Sequence, residues 1–309
     1  MNTAVIFPGQ GAQFEGMGRD WAEAFPIAKA TWEEADEALG FSLSEKCWAS
    51  GDEVNRTDIA QPGIFTTGVA IARVLCEQGA IPEKAALTAG LSLGEYTALW
   101  FAGSLAFKDG LRLVRLRGEA MQDASEAMPS SMLSLTGADE AQAHAVAAEG
   151  AKVGICSVAN INAPGQIILS GEISALEHVA SVAKEHGIRR TRQLVVAGGF
   201  HSECMRPAAD RLASALTEVE LKTPTIPFLS NVTGAQTEDI EAIRTQLATQ
   251  VCSSVLWEKS MREALGRGIS NFLEPGPGRV LAGIMKRIDP EASCQAADVP
   301  ASIEAQGDA

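Results

Sequence analysis

The feature that most restricts the fold is a serine between two glycines, at the point where an apolar segment ends and a helical pattern begins. The apolar segment is KAALTAG, residues 84–90, and the helical pattern is GEYTALWFAG, residues 94–103. Residues 90–94, GLSLG, therefore fit G-x-S-x-G at a strand-to-helix turn, where small residues allow the sharp bend that exposes a serine hydroxyl. The pattern predicts a nucleophile elbow with Ser92 at its tip. A glycine-flanked turn with an incidental serine is the alternative.

Short apolar segments alternate with helical patterns on both sides of this turn. NTAVIF, residues 2–7, predicts a buried strand followed by the glycine-rich loop PGQGAQ, and ISNFLEPGPG, residues 269–278, predicts a late strand and turn. Strands that alternate with helices indicate a parallel sheet covered by helices. The Gly-Pro-Gly turn lacks the lysine of a Walker loop and the spacing of a dinucleotide fingerprint, so it does not indicate a nucleotide site.

Residues 126–197 show a different pattern. Segments typical of strand, helix, strand, strand, helix and strand follow one another there, from SMLSLTGA at residues 131–138 to RRTRQLVV at residues 189–196. This order is that of the ferredoxin-like unit. We therefore expect an α/β protein with two domains: a large α/β-hydrolase-like (patatin-like) domain with a parallel sheet, residues 1–125 and 198–309, and a small inserted ferredoxin-like domain, residues 126–197.

Charge and cysteine content exclude several classes of function. The net charge of −14 at pH 7 argues against non-specific binding to nucleic acid. The six cysteines include no C-x-x-C pair, so neither a zinc site nor a disulfide framework is indicated. No basic segment precedes the short N-terminal apolar run, and no apolar run approaches the length of a membrane span. We expect a cytoplasmic protein that binds neither nucleic acid nor membrane, with a frayed tail formed by its small, polar last residues, ADVPASIEAQGDA.

A serine nucleophile needs a base, and histidine suits neutral pH. Two of the four histidines, His144 and His178, lie inside helical patterns, and His186 stands at a helix end. His201 instead follows an apolar segment and two glycines in VVAGGFHSECM, so elimination favours it as the base. A solvated loop histidine is the alternative. Several acids lie between Ser92 and His201, but their positions single out none of them as the third member of a triad.

Arg117 lies on the apolar face of a predicted helix, DGLRLVRLRGEAMQ. At about 100° per residue the other polar side chains share the opposite, solvated face: they are Arg112, Arg115, Glu119 and Gln122. A guanidinium turned inward is costly unless a carboxylate meets it. That carboxylate is either an Asp or Glu of the same chain or part of the substrate, held by the planar two-pronged donor of arginine. Helical geometry alone leaves both alternatives open.

The sequence resembles the malonyl-CoA:acyl carrier protein transacylases and the acyltransferase domains of polyketide synthases. The resemblance covers nearly the whole chain and follows the order of the family's blocks. They are FPGQGAQ, GLSLGEYTAL, RLRGEAMQ, ANINAPGQIILSG, GGFHS, QVCSSVLWEKSM and FLEPGPGRVLAG. One position departs clearly from the family, which usually has histidine where this chain has Leu91. In the family, this position belongs neither to the residues that react nor to those that stabilise the intermediate. The departure therefore affects only the fine positioning of groups near the substrate.

The resemblance implies a catalytic pair formed by Ser92 and His201. The histidine would be oriented by a backbone carbonyl, that of Gln250, instead of by an acid. The oxyanion hole would consist of the backbone N–H groups of Gln10 and Leu93. For Leu93 the residues themselves agree, because it follows the nucleophile at the start of a helix.

The resemblance also implies the substrates. Arg117 would bind the free carboxylate of a malonyl group, and Phe200, directly before the histidine, would favour malonyl over other acyl groups. The expected reaction moves malonyl from malonyl-CoA to the pantetheine thiol of acyl carrier protein through a malonyl-serine, in fatty-acid or polyketide synthesis. Neither a metal nor a bound cofactor is expected, and we expect a monomer.

Two other functions are compatible with the residues alone. A serine hydrolase or patatin-like lipase would need no inward arginine and would usually place an acid in the site. A non-catalytic scaffold of a lipid-synthesis complex would need none of Ser92, His201 and Arg117.

Overall fold

The computed structural model describes residues 2–81 and 85–302, and these contain two β-sheets. Part of the stretch expected to be a frayed tail, residues 303–309, lies outside the described residues. The larger sheet has six strands. In spatial order they are β10 (Ser293–Ala297), β9 (Asn271–Pro275), β1 (Thr3–Phe7), β2 (Leu87–Gly90), β7 (Phe228–Ser230) and β8 (Ala235–Thr237).

The larger sheet is mixed, whereas the sequence predicted a parallel one. Five strands, β10 to β7 in spatial order, are parallel, but β8 pairs antiparallel to β7 at the edge. Residues 231–234 alone join these two strands, and so short a connection can only reverse the chain. The prediction is therefore wrong for this one edge strand.

Helices cover the larger sheet and the smaller one. In chain order they are α1 (Arg19–Ala24), α2 (Pro26–Leu39), α3 (Leu43–Trp48), α4 (Thr57–Glu77), α5 (Gly94–Phe101), α6 (Phe107–Ala127), α7 (Glu140–Gly150), α8 (Ile173–Val182), α9 (Arg206–Thr217), α10 (Ile240–Gln250), α11 (Trp257–Gly266) and α12 (Val280–Ile288). Short 3-10 helices follow α3 and α8, precede α9 and end the described chain.

Helix α4 forms the centre of the largest hydrophobic cluster. It is the one described helix long and apolar enough, by length and composition, to cross a membrane, although the sequence predicted no apolar run of that length. Of its most apolar window, 89% is buried inside the protein. The helix packs against α2 and α6, and Ile64, Phe65 and Val69 are fully enclosed. A helix that is apolar all round is typical of a buried core, and here the surrounding protein accounts for that character.

The smaller sheet is antiparallel and has the order β4-β5-β3-β6. Its strands are β3 (Ser130–Thr136), β4 (Cys156–Ala163), β5 (Gln166–Glu172) and β6 (Arg190–Gln193). Along the chain the elements follow one another as β3, α7, β4, β5, α8 and β6, which is the order expected from the sequence. Helices α7 and α8 bury Val146 and Val179 against the sheet residues Leu135 and Leu169.

The site is positioned by the adjacent carboxyl ends of β1 and β2, where Phe7 pairs with Gly90. The PGQG loop leaves β1 and the elbow leaves β2 at the same edge, the usual place for a site in a parallel sheet. The backbones approach so closely there that side chains cannot intervene. A Cβ on Gly94 would lie 2.2 Å from the carbonyl oxygen of Phe7, and one on Gly9 would lie 2.3 Å from that of Leu91.

Candidate active site

Ser92 and His201 are the two non-glycine residues with positive φ in the described chain, at 52° and 61°. Such a conformation costs roughly 1–3 kcal/mol and persists only where neighbouring groups impose it. At Ser92 two side chains do so. Its N–H donates to Asn231 Oδ1 at 2.6 Å, and its carbonyl accepts from Gln250 Nε2 at 2.9 Å. The structure therefore forms the strained strand-to-helix turn that G-x-S-x-G predicts.

The side chains of Ser92 and His201 meet at 2.8 Å, between Oγ and Nε2. On the other side of the ring, Nδ1 lies 2.9 Å from the backbone oxygen of Gln250, which ends α10. Because a carbonyl can only accept, Nδ1 carries the proton and donates it, which leaves Nε2 free to accept from the serine hydroxyl. A backbone carbonyl thus stands where many serine hydrolases place an acid.

His201 is neutral at physiological pH. Burial first, and then the positive charge of Arg117, lower the pKa of His201 to about 4. A neutral imidazole is the form that can remove a proton from the serine. The other three histidines, which the sequence assigned structural places, lie on α7, on α8 and in the 3-10 helix Ala183–His186.

Arg117 is buried on the inner face of α6, where helical geometry predicted it. Its guanidinium donates to Gln61 Oε1 at 2.7 Å, to Gln250 Oε1 at 2.9 Å and to Ser92 Oγ at 3.0 Å. All three acceptors are neutral, and its Nε has no partner. No described carboxylate forms a salt bridge with Arg117, so the internal ion pair is not formed. Burial lowers the pKa of Arg117, but the guanidinium stays charged in proteins.

The backbone N–H groups of Gln10 and Leu93 make no hydrogen bond to the described residues. Leu93 directly precedes α5, so its N–H belongs to the positive end of that helix. A Cβ on Gly9 would lie 3.7 Å from the nitrogen of Leu93, which brings the PGQG loop alongside it. The Gln10 side chain is fixed by weak hydrogen bonds with Gln61, at 3.4 Å, and Thr57, at 3.3 Å. The unused Leu93 N–H therefore directly follows Ser92 in the chain, and the PGQG loop that carries Gln10 lies alongside it.

Phe200 and Leu91 both belong to hydrophobic clusters beside the site. Phe200 packs in a cluster that includes Met121 and Ala124 of α6, the helix that carries Arg117. Leu91 packs in a different cluster, with Ile6 of β1 and residues of α11 and α12. Leu91 is therefore a core residue here, and its position does not disturb the hydrogen bonds of Ser92.

Sequence reasoning missed a buried carboxylate behind the nucleophile, Glu95. Its Oε1 accepts from the backbone N–H of Asn231 at 2.5 Å, and its Oε2 accepts from Gln250 Nε2. Burial raises the pKa of Glu95 to about 7, although these hydrogen bonds and the charge of Arg117 oppose the shift. The one available signal was its place three residues after Ser92, in the first turn of the following helix.

Asn231 was missed as well, and it fixes the elbow from the neighbouring strand. It follows β7, whose Leu229 pairs with Ala89 of β2. Besides accepting from the N–H of Ser92, its side chain donates to the carbonyl oxygen of Gly90 at 2.7 Å. A polar residue at the carboxyl end of a strand was the only sequence signal for this role.

Comparison with known proteins agrees with this geometry. Residues 4–277 match the acyl transferase domain family. The malonyl CoA-acyl carrier protein transacylase of Bacillus subtilis is 38% identical over 303 residues, which cover 97% of this chain and 95% of that protein. The mitochondrial malonyl-CoA-acyl carrier protein transacylase of Homo sapiens is 36% identical over 318 residues, covering 98% and 81%.

Solved structures give the same result. An acyl carrier protein S-malonyltransferase from Vibrio cholerae superposes with a TM-score of 0.94 at 36% identity, covering 99% of each chain. A malonyl-transacylase solved in complex with a type II PKS acyl-carrier protein gives a TM-score of 0.94 at 37% identity, again covering 99% of each chain. The chain belongs to the acyl transferase domain family.

Proposed function

We propose that this protein transfers a malonyl group from malonyl-CoA to the pantetheine thiol of acyl carrier protein, through a malonyl ester of Ser92. The observation that carries the proposal is Arg117: a buried cation with no carboxylate partner among the described residues, and with Nη2 3.0 Å from the serine oxygen. A malonyl thioester brings the missing carboxylate to that position. The relatives named malonyl CoA-acyl carrier protein transacylase support the same activity.

Acylation begins when Ser92 Oγ attacks the thioester carbonyl carbon while His201 Nε2 takes the hydroxyl proton. The resulting tetrahedral oxyanion accepts hydrogen bonds from the backbone N–H groups of Gln10 and Leu93, each worth about 3 kcal/mol in such sites. The C–S bond then breaks, and the protonated His201 gives its proton to the departing CoA thiolate. Malonyl-Ser92 remains.

Transfer reverses these steps with a different thiol. The pantetheine thiol of acyl carrier protein gives its proton to His201 and attacks the carbonyl carbon of malonyl-Ser92. The oxyanion is held by the same two N–H groups, and the bond to Oγ breaks as His201 returns the proton to the serine. The carbonyl of Gln250 keeps the imidazole oriented in both halves, because its hydrogen bond fixes the proton on Nδ1.

Selectivity rests on Arg117 and Phe200. The guanidinium supplies a planar donor whose Nε is unused, and a carboxylate would compensate its buried charge. Phe200 directly precedes His201 and packs against α6, the helix that carries Arg117; its resemblance to the family's phenylalanine at this position supports selectivity for malonyl.

The hydrolase alternative is less well supported. A serine hydrolase or patatin-like lipase has no use for an uncompensated cation beside its nucleophile, and a carbonyl replaces the acid that such enzymes usually carry. A non-catalytic scaffold would not need the 2.8 Å contact between Ser92 and His201. The rate of malonyl-CoA hydrolysis without carrier protein distinguishes hydrolase from transferase.

We also propose the finer architecture. Residues 126–197 would form a small ferredoxin-like domain, supported by the element order β-α-β-β-α-β and the strand order β4-β5-β3-β6. Residues 1–125 and 198–309 would form the α/β-hydrolase-like (patatin-like) domain. We propose a cytoplasmic monomer; the six scattered cysteines, without a C-x-x-C pair, support the cytoplasm.

The intact mass of the protein after mixing with malonyl-, methylmalonyl- and acetyl-CoA tests the function directly. We expect one malonyl group on the wild type, its removal by carrier protein, and no adduct on Ser92→Ala. A malonyl adduct that persists on Ser92→Ala would reject Ser92 as nucleophile. Release of free malonate instead of transfer would favour the hydrolase.

A further inference from the structure

Glu95 is a buried carboxylate that the proposed reaction does not use, and it lies next to the groups that do. Both of its oxygens accept hydrogen bonds, one from the Asn231 backbone and one from the Gln250 side chain. A carboxyl group whose two oxygens both accept hydrogen bonds suits the ionised form, because protonation would turn one of them into a donor. Glu95 belongs to the first turn of α5, so its backbone is tied to the elbow through a hydrogen bond from its N–H to the carbonyl of Ser92 at 3.1 Å.

The Gln250 carboxamide connects Glu95 to Arg117. Its Nε2 donates to Glu95 and to the carbonyl of Ser92, and its Oε1 accepts from Arg117 Nη2 at 2.9 Å. A carboxamide has an amino end that donates and an oxygen end that accepts. Because the Glu95 carboxylate only accepts, the amino end of Gln250 must face it. The oxygen end must then face Arg117. With the opposite orientation, the amino group would meet the guanidinium, donor against donor.

We propose that Glu95 is a positioning residue for malonyl selectivity: by fixing the orientation of the Gln250 carboxamide, it holds the Arg117 guanidinium beside Ser92, ready for the substrate carboxylate. This rests on the function proposed above. Glu95 itself touches no reacting atom.

Glu95→Gln tests the proposal because it disturbs one side of the network selectively. Its amide oxygen can still accept from the Asn231 N–H, so the elbow keeps that support. Its amino group, however, meets Gln250 Nε2 donor against donor, so the Gln250 carboxamide keeps only the Ser92 carbonyl as an acceptor and is displaced or reversed, which removes the fixed acceptor that holds Arg117. We expect kcat/KM for malonyl-CoA to fall by about tenfold, an ordinary size for coupled residues in one hydrogen-bond network, and kcat/KM for acetyl-CoA to change by less.

A double-mutant cycle separates positioning from general damage. In an Arg117→Ala background, Glu95→Gln should leave the malonyl-to-acetyl ratio of kcat/KM unchanged, because the group that Glu95 positions is gone. The matched control is Glu274→Gln, another buried carboxylate, which accepts from the N–H groups of Leu281 and Ala282 at 2.9 Å, at the start of α12. That variant should keep the wild-type ratio.

Three outcomes would overturn the proposal: an unchanged ratio in Glu95→Gln, an equal fall for both thioesters, or a further change of the ratio in the Arg117→Ala background. If Glu95→Gln does not fold, Glu95→Asp is measured in the same way and must lose part of the malonyl preference.

A crystal structure of the variant must show the Gln250 carboxamide displaced or reversed, and an unmoved carboxamide rejects the proposal. The crystal structure tests the role of Glu95 without any measurement of transfer. A wild type that forms no malonyl-Ser92 would instead reject the proposed function.

Discussion

At the scale of single residues, the site depends on side chains whose ordinary properties are altered by burial. His201 is the clearest case, because burial and the charge of Arg117 lower its pKa to about 4. A histidine with a lowered pKa stays neutral, and therefore able to accept a proton, until the pH falls through that value. His201, the proposed base, is thus able to accept a proton at any physiological pH.

We expect the kcat/KM of the wild type for acylation by acetyl-CoA, which brings no carboxylate to Arg117, to stay level between about pH 8 and 5 and to fall as the pH drops through about 4, where His201 takes a proton. His201→Ala should lower it by at least roughly 10²-fold, the usual contribution of a positioned acid–base group. Stopped-flow release of CoA over this pH range measures both effects. An acid limb centred near the ordinary histidine pKa, or an undiminished rate in the variant, would assign the base elsewhere.

Arg117→Ala should damage malonyl transfer selectively. Loss of a charged hydrogen-bonding partner in a buried site costs about 2–5 kcal/mol, and the loss applies only to a substrate that carries the carboxylate. Acetyl-CoA should lose little or gain, because an uncompensated cation disappears from the site. The measurements are kcat/KM for both thioesters and a melting curve. Parallel losses with both substrates would show that Arg117 does not bind the substrate carboxylate.

At the scale of elements, the elbow joins β2 to α5 only because glycines allow β1 to pass beside it. A Cβ on Gly94 would lie 2.2 Å from the carbonyl oxygen of Phe7, and backbone atoms cannot move aside as a flexible side chain can. Leu93 directly precedes α5 and Glu95 lies in its first turn, so any displacement there changes the proposed oxyanion hole and the support of Gln250 together.

Gly94→Ala should therefore lower the free energy of unfolding by at least roughly 1–3 kcal/mol, the usual cost of overpacking, and abolish acylation. The matched control is Gly283→Ala in α12, where a Cβ would meet nothing within 4 Å. That substitution should stabilise the protein by roughly 0.4–1 kcal/mol, because alanine suits a helix interior better. Urea unfolding measures both, and a tolerated Gly94→Ala would mean that β1 and the elbow can separate.

At the scale of the whole molecule, two buried carboxyl groups make stability depend on pH. Burial raises the pKa of Glu95 and of Glu274 from 4.5 to about 7. Between these values the folded protein binds protons that the unfolded chain has released. Each group therefore contributes stability that is fully present below about pH 4.5 and is lost as the pH rises through about 7.

Glu274→Gln should reduce this pH dependence, because one of the two groups no longer titrates. The free energy of unfolding should fall less steeply between pH 5 and 7, by up to about 1.4 kcal/mol per pH unit relative to the wild type. The loss of one of the two acceptor oxygens at the start of α12 lowers stability at every pH, so the slope is the informative quantity. Urea titrations at a series of pH values measure it, and identical slopes would place the pKa of Glu274 at its ordinary value.

The sequence by itself determined the local geometry of this protein. The glycines around Ser92 predict the elbow, because only small residues fit a turn that tight, and the 3.6-residue repeat of α6 places Arg117 on the buried face. Both follow from sterics and periodicity within a few consecutive residues. The alternation of strands and helices likewise predicts an α/β chain with a second, antiparallel sheet in residues 126–197.

Only the tertiary structure decided which groups meet at the site. Ser92 and His201 are 109 residues apart, and Gln250 lies 158 residues beyond Ser92. How distant segments pack decides that Arg117 meets no carboxylate in residues 2–81 and 85–302, that the Gln250 carbonyl accepts from His201, and that β8 runs antiparallel. The same is true of Glu95, whose exposure or burial cannot be read from its own helix. Contacts between distant residues are selected by the packing of the whole chain, and for that reason no short stretch of sequence specifies them.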